Sequence, residues 1–503
     1  MVSVPRRGRR WPGVVRGGVA VALPGLVGVA AGAGAVSAIA TLGAFAVVYG
    51  ETRPYRVRWR VVGLIGVVLV ALAGIGAAVG SVVSAADGSA LSPMLIVLVM
   101  TAVVACCAFV VDALRLGAPG AFLMVLTLEI ASVLPAAGVT VAAVVAWTAI
   151  GAGTALVIAM AGAPVRPRTP ERAAVAAAVA AVDAVLRDNS PTHRRAVVHD
   201  LHVAWQCLHD AGLVTPGHPL TEALRGAHLR CAAVLHGVDH DEAAPEDDLQ
   251  PQIPLRRPSI RYRLARAAHP RGRSMTIVVR LLVACPTAGA IAVVAGVGRP
   301  DWAVITAAMI LHQGPDRILG TYRAAHRFLG TLIGLAVLAG LALFDLHGAA
   351  LVVALALSMA GIEAYLVRNY GLAMVFITPL AMILGGLGAP GDLVAVSRDR
   401  FLETVIGVVA AVAVLWCVLP RAHRRILSDA DLQVADTIAR ITHTGDADRL
   451  AELRRDLEFD LHASTSAAIT AAHSDPAWTR ERWPEHRRLH EFGYRILTAP
   501  PPQ

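Results

Sequence analysis

The chain has 503 residues, 56% of them hydrophobic and 16% charged, with a formal net charge of +9. A soluble domain carries about 25% charged residues, and here the charges concentrate in residues 163–274 and 420–503, so the remainder excludes a soluble globular protein. All 45 basic residues are arginine, which removes side-chain amine chemistry: Walker A loops, kinase phosphate lysines and Schiff bases are excluded, and a self-contained ATP-driven pump is not expected.

The N-terminal arginines Arg6, Arg7, Arg9 and Arg10 precede an apolar stretch, with small residues near Gly32–Ala35. A signal peptide looks like this, but a second apolar stretch follows almost at once, so an uncleaved first span is the better reading. Apolar runs then predict spans near 14–31, 34–50, 61–81, 93–111, 119–135 and 139–161. The longer runs approach the roughly 20 residues needed to cross a bilayer. The Gly-rich stretches 14–50 and 370–388 are candidates for short or broken helices.

The polar segment that follows predicts a helical bundle, with apolar residues at helical spacing over Glu171–Asp188, Thr192–Gly212 and Leu220–Gly237. An acidic and then proline-rich linker, Asp239–Pro258, leads into the basic stretch Arg256–Arg273. The second apolar block parses near 276–297, 301–313, 325–344, 348–367, 370–388 and 401–419. The tail predicts two or three further helices, including Asp429–Thr444 and Asp446–Ser474, and a proline-rich end.

The predicted fold is therefore all-α: a polytopic membrane protein of two six-helix halves, about 12 transmembrane helices, with two cytosolic helical segments. The expected boundaries are 1–162 and 275–420 for the membrane halves, 163–274 for the first cytosolic segment and 421–503 for the second. Orientation follows from arginine placement. With the N-terminus inside, the short cytoplasmic loops hold fourteen arginines, among them Arg53, Arg56, Arg58, Arg60, Arg317, Arg323, Arg327 and Arg368, while the outer loops hold Arg299, Arg398 and Arg400. That positive-inside bias predicts a cell-membrane protein with both termini cytoplasmic. It also names the lipid bilayer, rather than nucleic acid, as what the basic charge faces.

The halves look like two copies of one unit. Thr41 precedes Arg60-Val-Val-Gly63 in the first, and Thr306 precedes Arg327-Phe-Leu-Gly330 in the second. Pro119-Gly-Ala-Phe-Leu-Met124 has its counterpart in Tyr370-Gly-Leu-Ala-Met374. Internal duplication around a central path is common in transporters.

Ionisable groups inside apolar runs are expensive and mark candidate function. Glu129, deep in its run, is a candidate proton-coupling carboxylate, with a helix-packing carboxylate bonded to Thr127 or a neighbouring helix as the alternative. Glu363 is a second coupling candidate, although an interfacial pair with Arg368 is the simpler expectation; Asp112 and Arg115 form a similar i, i+3 pair. Arg317, Arg323 and Arg327 form the best anion-facing constellation, since arginines at i and i+4 can receive a carboxylate through two hydrogen bonds. Positive-inside topology explains the same residues. Trp302, His312, Asn369, Tyr370 and Thr378 could supply stacking surface and hydrogen bonds to an aromatic acid. Taken singly, Trp302 and Tyr370 are read first as interfacial anchors. Thr378-Pro379 suggests a bend lining a cavity.

The six cysteines show no CxxC spacing and are expected as small buried hydrophobes, with no disulfide framework. His199 and His202 share a helical face, with His209 seven residues beyond His202, but no converging set of three or four ligands is fixed; surface histidines are the default and no metal site is expected. No Ser/His/Asp or paired-carboxylate arrangement rises above chance, so no enzyme and no cofactor are expected.

Arg368-Asn369-Tyr370-Gly-Leu-Ala-Met-Val-Phe-Ile-Thr378-Pro379-Leu380 resembles the fusaric acid resistance, or aromatic acid exporter, family. So do Asp301-Trp302-Ala-Val-Ile-Thr306, Gly320-Thr-Tyr-Arg323-Ala-Ala-His-Arg327-Phe-Leu-Gly330-Thr331 and Arg400-Phe-Leu-Glu403-Thr404-Val-Ile-Gly407. The order of membrane halves and cytosolic helices matches that family's whole architecture. The resemblance implies a bacterial inner-membrane secondary exporter of small organic, chiefly aromatic carboxylic, anions. Its likeness to plant organic-anion channels implies a homodimer and keeps a passive channel open; a non-transporting scaffold or regulator is the third reading. Gram-negative members of the family work with periplasmic adaptor proteins, and this Ala/Val/Gly/Arg-rich composition leaves that partner open. Asp301 stands where the family more often has an aromatic or small residue.

Overall fold

The computed structural model describes residues 11–51, 53–86, 91–117, 119–235, 253–344, 346–366, 368–387 and 393–498. Arginines 6–10 and most of the acidic linker lie outside these. The described residues form helices and connecting turns, with no strand among them. They divide into two compact units: residues 11–51, 59–161 and 274–420 make the first, and residues 53–58, 162–273 and 421–498 the second.

Both apolar blocks enter the first unit, and every predicted run is helical. The first block gives α1 (Trp11–Ala30), α2 (Ala40–Ala44, continued at each end by 3-10 turns over Gly34–Gly50), α3 (Tyr55–Ala85), α4 (Leu91–Ala113), α5 (Phe122–Val133) and α6 (Val141–Met160). The second gives α11 (Arg273–Val294), α12 (Pro300–Leu311), α13 (Arg317–Ala342), α14 (Gly348–Tyr365), α15 (Tyr370–Gly385) and α16 (Leu393–Cys417). Eight of these are long and apolar enough to cross a membrane, and four are shorter: Gly34–Gly50, Phe122–Ala137, Pro300–Leu311 and Tyr370–Gly385. Each block repeats one order of lengths: long, short, long, long, short, long. The expected twelve are thus eight full spans and four short helices.

The short helices explain their own position. Twelve residues at 1.5 Å per residue rise about 18 Å, well under the roughly 30 Å of hydrocarbon. Helix ends exposed to lipid at that depth would leave backbone groups unbonded, which is tolerated only inside protein. Accordingly every residue of α12 and every residue of α5 from Phe122 to Ser132 is buried. The long helices instead expose large hydrophobic side chains such as Leu64, Val67, Leu98, Val157 and Leu357 on their outer faces.

Close packing locates α15 on α13. A Cβ at Gly330 would meet Met374 Cβ and the Gly371 carbonyl, and one at Gly334 would meet Thr378 Cβ. This small-xxx-small spacing lets the backbones approach. Pro379 has no N–H for the Val375 carbonyl, and that carbonyl lies against Gly334.

The second unit contains α7 (Thr169–Arg187), α8 (Pro191–Ala211), α9 (Pro219–Leu235), α10 (Ile260–Ala267), α17 (Ala422–Thr442), α18 (Ala447–Ser474) and α19 (Pro476–Thr498). The third helix of the tail, α19, carries Pro484 inside it, and the proline-rich end at Pro500–Pro502 lies outside the described residues. One core is built on Val182, Leu201, Trp205 and Leu224, another on Val434, Leu457, Leu461 and Leu497. Asp460, buried on α18, accepts from Tyr262 Oη at 2.7 Å, Arg266 Nη2 at 2.9 Å and Thr437 Oγ1 at 2.7 Å, pinning α10 to α17 and α18. His228 is buried and accepts from Trp205 Nε1 at 3.3 Å, so it is a core residue rather than a surface histidine. Cys207, Cys231 and Cys285 are buried as expected, whereas Cys106 and Cys417 are exposed.

Candidate functional site

Among the described residues of the first unit, three arginines lie almost wholly out of solvent, and they differ in what satisfies them. Arg280 on α11 donates from Nη1 to the Pro315 carbonyl at 2.6 Å, from Nε to Val418 at 3.2 Å, and from Nη2 to Leu415 at 3.2 Å and Leu419 at 3.3 Å. Those carbonyls include the open C-terminal ones of α16, so Arg280 caps a helix. Its role is structural.

Arg327 and Arg400 have no such partners. Arg327 on α13 is 1% exposed. Its Nη1 donates to Met374 Sδ at 2.8 Å, a weak acceptor, and its Nε is buried without a hydrogen-bond partner. The Tyr370 hydroxyl lies beside this guanidinium but without the geometry of a formed hydrogen bond, and it too is buried without one. Arg400 on α16 is 2% exposed, and its Nε and Nη1 are likewise unpartnered. Its guanidinium carbon lies 3.5 Å from the centroid of the Trp302 ring. Arg400 is near enough to feel the repulsion of Arg327 and Arg299 and the attraction of Glu403 and Glu129. What these two guanidiniums lack is acceptors, and burying a charged donor without them costs several kcal/mol.

Beside them is a carboxylate cluster. Arg299 Nη2 pairs with Glu129 Oε1 of α5 and with Asp301 Oδ2 of α12, the latter at 2.9 Å. The Arg299 backbone N–H donates to Glu403 Oε1 of α16 at 3.1 Å. Glu129 Oε2 is buried without a partner. Thr306 on α12 and Thr331 on α13 each bury an unpartnered hydroxyl oxygen. The result is a polar seam inside an apolar unit, built on α5, α12, α13, α15 and α16.

The residues singled out in the sequence separate into two groups. Glu129, Trp302, Arg327 and Tyr370 come together in the seam. Trp302 is 2% exposed, so it is a buried ring under a guanidinium and not an interfacial anchor. Thr127 bonds to the Leu123 carbonyl at 2.8 Å, which leaves Glu129 to Arg299.

The others have local work. Asn369 caps α15, its side chain accepting from Leu372 N at 3.1 Å. Thr378 donates to the Met374 carbonyl at 3.0 Å. Arg323 Nη1 donates to the Ile310 carbonyl near the end of α12 at 2.8 Å, and His312 Nδ1 meets the Ala308 carbonyl at 3.1 Å. Arg317 stacks on Trp416 with its guanidinium carbon 4.8 Å from the ring centroid. The three arginines expected as one face therefore do three different things. Glu363 is buried on α14 where α1 passes, against Gly17. Asp112 accepts from Ser274 Oγ at 2.6 Å.

Arg299, Arg400 and Glu403 were not among the candidates. The predicted span began at 401, whereas α16 begins at Leu393 and carries Arg400 inside the helix. Arg400 is thus no loop arginine. The available signal was an Arg and a Glu at i and i+3 heading an apolar run.

Residues 287–414 match the fusaric acid resistance protein-like family. That stretch, about a quarter of the chain, carries every seam residue except Glu129. A curated relative, an uncharacterized membrane protein, YvaC, of Bacillus subtilis (strain 168), is 27% identical over 168 residues, covering 32% of this chain. The alignment spans only 26% of that relative's length. No solved structure matches the chain. The resemblance read from the motifs at 301–306, 320–331, 368–380 and 400–407 is borne out by the fusaric acid resistance protein-like match.

Proposed function

We propose that this protein is a secondary exporter of small organic anions, aromatic carboxylates first among them, working in the cell membrane with both termini in the cytoplasm. The observation that carries the reading is the pair Arg327 and Arg400: two buried guanidiniums with open donors, no direct carboxylate bond to either, and aromatic rings of Trp302 and Tyr370 beside them. A substrate carboxylate satisfies the donors in the fork geometry that arginine favours. Its ring stacks where Trp302 already lies flat against a cation.

Proton coupling runs through Glu129. A carboxylate substrate entering the seam competes with Glu129 for Arg299. A displaced Glu129, buried and without its counter-charge, is costly unless it takes a proton. Anion and proton occupancy are linked in this way. Orientation rests on the arginine bias, which the placement of Arg398 and Arg400 inside α16 sharpens by leaving Arg299 alone of those three to an outer loop. Exit of a monovalent anion from a cell is also favoured by the membrane potential, by about 2.3 kcal/mol per 100 mV.

The test is flux of radiolabelled benzoate and related aromatic carboxylates in proteoliposomes with imposed pH gradients of either sign. The exporter reading expects saturable flux that responds to the gradient and is uncoupled from it in Glu129→Gln. Steady anion current without any gradient response replaces the exporter with a channel. No flux of any anion leaves the scaffold reading.

A further inference from the structure

In the second unit, side chains of three helices converge on one point. Asp431 on α17 and His486 and His490 on α19 bring one ligand atom each to within 4.8 Å of one another. His486 and His490 stand at i and i+4, so they share one helical face, and their ring centroids are 4.1 Å apart. Both imidazoles are buried, while Asp431 keeps partial access to solvent.

Between them stands Ser464 of α18. Its Oγ donates to Asp431 Oδ1 at 2.5 Å and lies 3.1 Å from His490 Nε2 and 3.5 Å from His486 Nδ1. Asp431 Oδ1 is itself 2.9 Å from His486 Nδ1. A hydrolytic triad would place Asp and Ser on opposite nitrogens of one imidazole. Here both meet the same nitrogen of His486, and Ser464 is fully buried, so the group is not a nucleophile and base. It is a set of donors facing a common centre.

We propose that Asp431, His486 and His490 bind a divalent transition-metal ion of the zinc class. Two imidazole nitrogens and one carboxylate oxygen suit zinc and its neighbours and disfavour magnesium and calcium, which require oxygen ligands. Bonds of about 2 Å hold tetrahedral ligand atoms roughly 3.4 Å apart, so small side-chain rotations from the present spacing bring the three ligands to bonding distance. Ser464 then serves as a hydrogen-bond partner to the ligands, and a water completes the coordination. The ion ties α19, which carries Pro484 in its middle, to α17. It is a structural or regulatory clamp within this unit and does not depend on the transport reading.

The experiment uses the full chain, purified in detergent with an affinity tag free of histidine, stripped with chelator and titrated with zinc chloride against a chromophoric competitor. One zinc per chain is expected. His490→Gln and Asp431→Asn each weaken it by more than about 100-fold and Ser464→Ala, which removes a hydrogen-bond partner of the ligands, by about 10-fold, while the surface change His193→Ala leaves it unchanged. Cobalt chloride gives the visible bands of a four-coordinate ion in the wild type and loses them in His486→Gln/His490→Gln, with helicity by circular dichroism checking that this variant folds. The proposal is overturned if the chain takes up no zinc, or if zinc and cobalt binding survive in the doubly substituted chain. If that chain is unfolded, His490→Gln and Asp431→Asn decide: unchanged zinc affinity in both overturns the site.

Discussion

The Arg400 guanidinium lies face-on to Trp302 at 3.5 Å from the ring centroid, and two of its nitrogens have no hydrogen-bond partner. A buried cation stacked on an indole is stabilised by roughly 2 kcal/mol, but that does not replace missing acceptors. Arg280, equally deep, has four carbonyl bonds. Arg280 is satisfied by the fold itself, and Arg400 is left with open donors.

Arg400→Lys retains the charge and loses both the planar fork and the stacking. Anion affinity is expected to fall by about 1–3 kcal/mol, roughly 5- to 150-fold, with a much smaller change in thermal midpoint. Isothermal titration of the purified protein with benzoate measures the first, and a thermal scan the second.

Glu129 is fully buried against Arg299, whose side chain is 30% exposed and also pairs with Asp301. Removing the partner of a buried charge costs about 3–5 kcal/mol because that charge is left unpaired. Arg299→Met should therefore destabilise the membrane unit by that order, and Glu129→Ala in the same chain should restore part of it. A double-mutant cycle on thermal or denaturant unfolding gives the coupling. Additive effects would show that the two do not interact.

Asn369 separates a cap from a substrate contact. Losing the side-chain cap of α15 costs about 1 kcal/mol, so Asn369→Ala should lower stability by that amount while flux per folded protein stays the same. A loss of flux at unchanged stability would return Asn369 to the site.

The legible part of this chain was the part written in hydrophobicity. Every apolar run became a helix because covering backbone groups inside hydrocarbon leaves few other choices. The short helices Tyr370–Gly385 and Gly34–Gly50 were visible in the glycine content of 370–388 and 14–50; Trp11–Ala30, in the latter stretch, proved full length. Tertiary partners were not legible. Glu129 was conspicuous, yet Arg299 lies 170 residues away and read as a loop charge. Arg400 was hidden by a boundary placed eight residues late, since a charged first two turns looks like a loop to any hydropathy window. Asp431 and His486 are 55 residues apart, and the histidines first noticed, His199, His202 and His209, are elsewhere: His202 packs edge-on against His462 and His209 bonds to the Pro254 carbonyl.

Burial raises Glu458 to about 7 and Asp456 to about 6, both on α18. Carboxylates held above their unfolded values bind protons more tightly when folded, so their stabilising contribution is complete below about pH 4 and is lost as pH rises through 6 to 7. Opening free energy of peptide 447–474, from hydrogen exchange corrected for intrinsic rates, should fall between pH 5 and 7.5. Glu458→Gln should flatten the upper part of that fall.

Arg327 and Arg400 are proposed to receive a carboxylate inside the membrane unit. Equilibrium binding of labelled benzoate to the protein in lipid nanodiscs tests it most directly, with the wild type beside Arg400→Gln and Arg327→Gln. Saturable binding to the wild type, lost in both folded variants, is the predicted result. Binding of equal strength in all three would contradict the account.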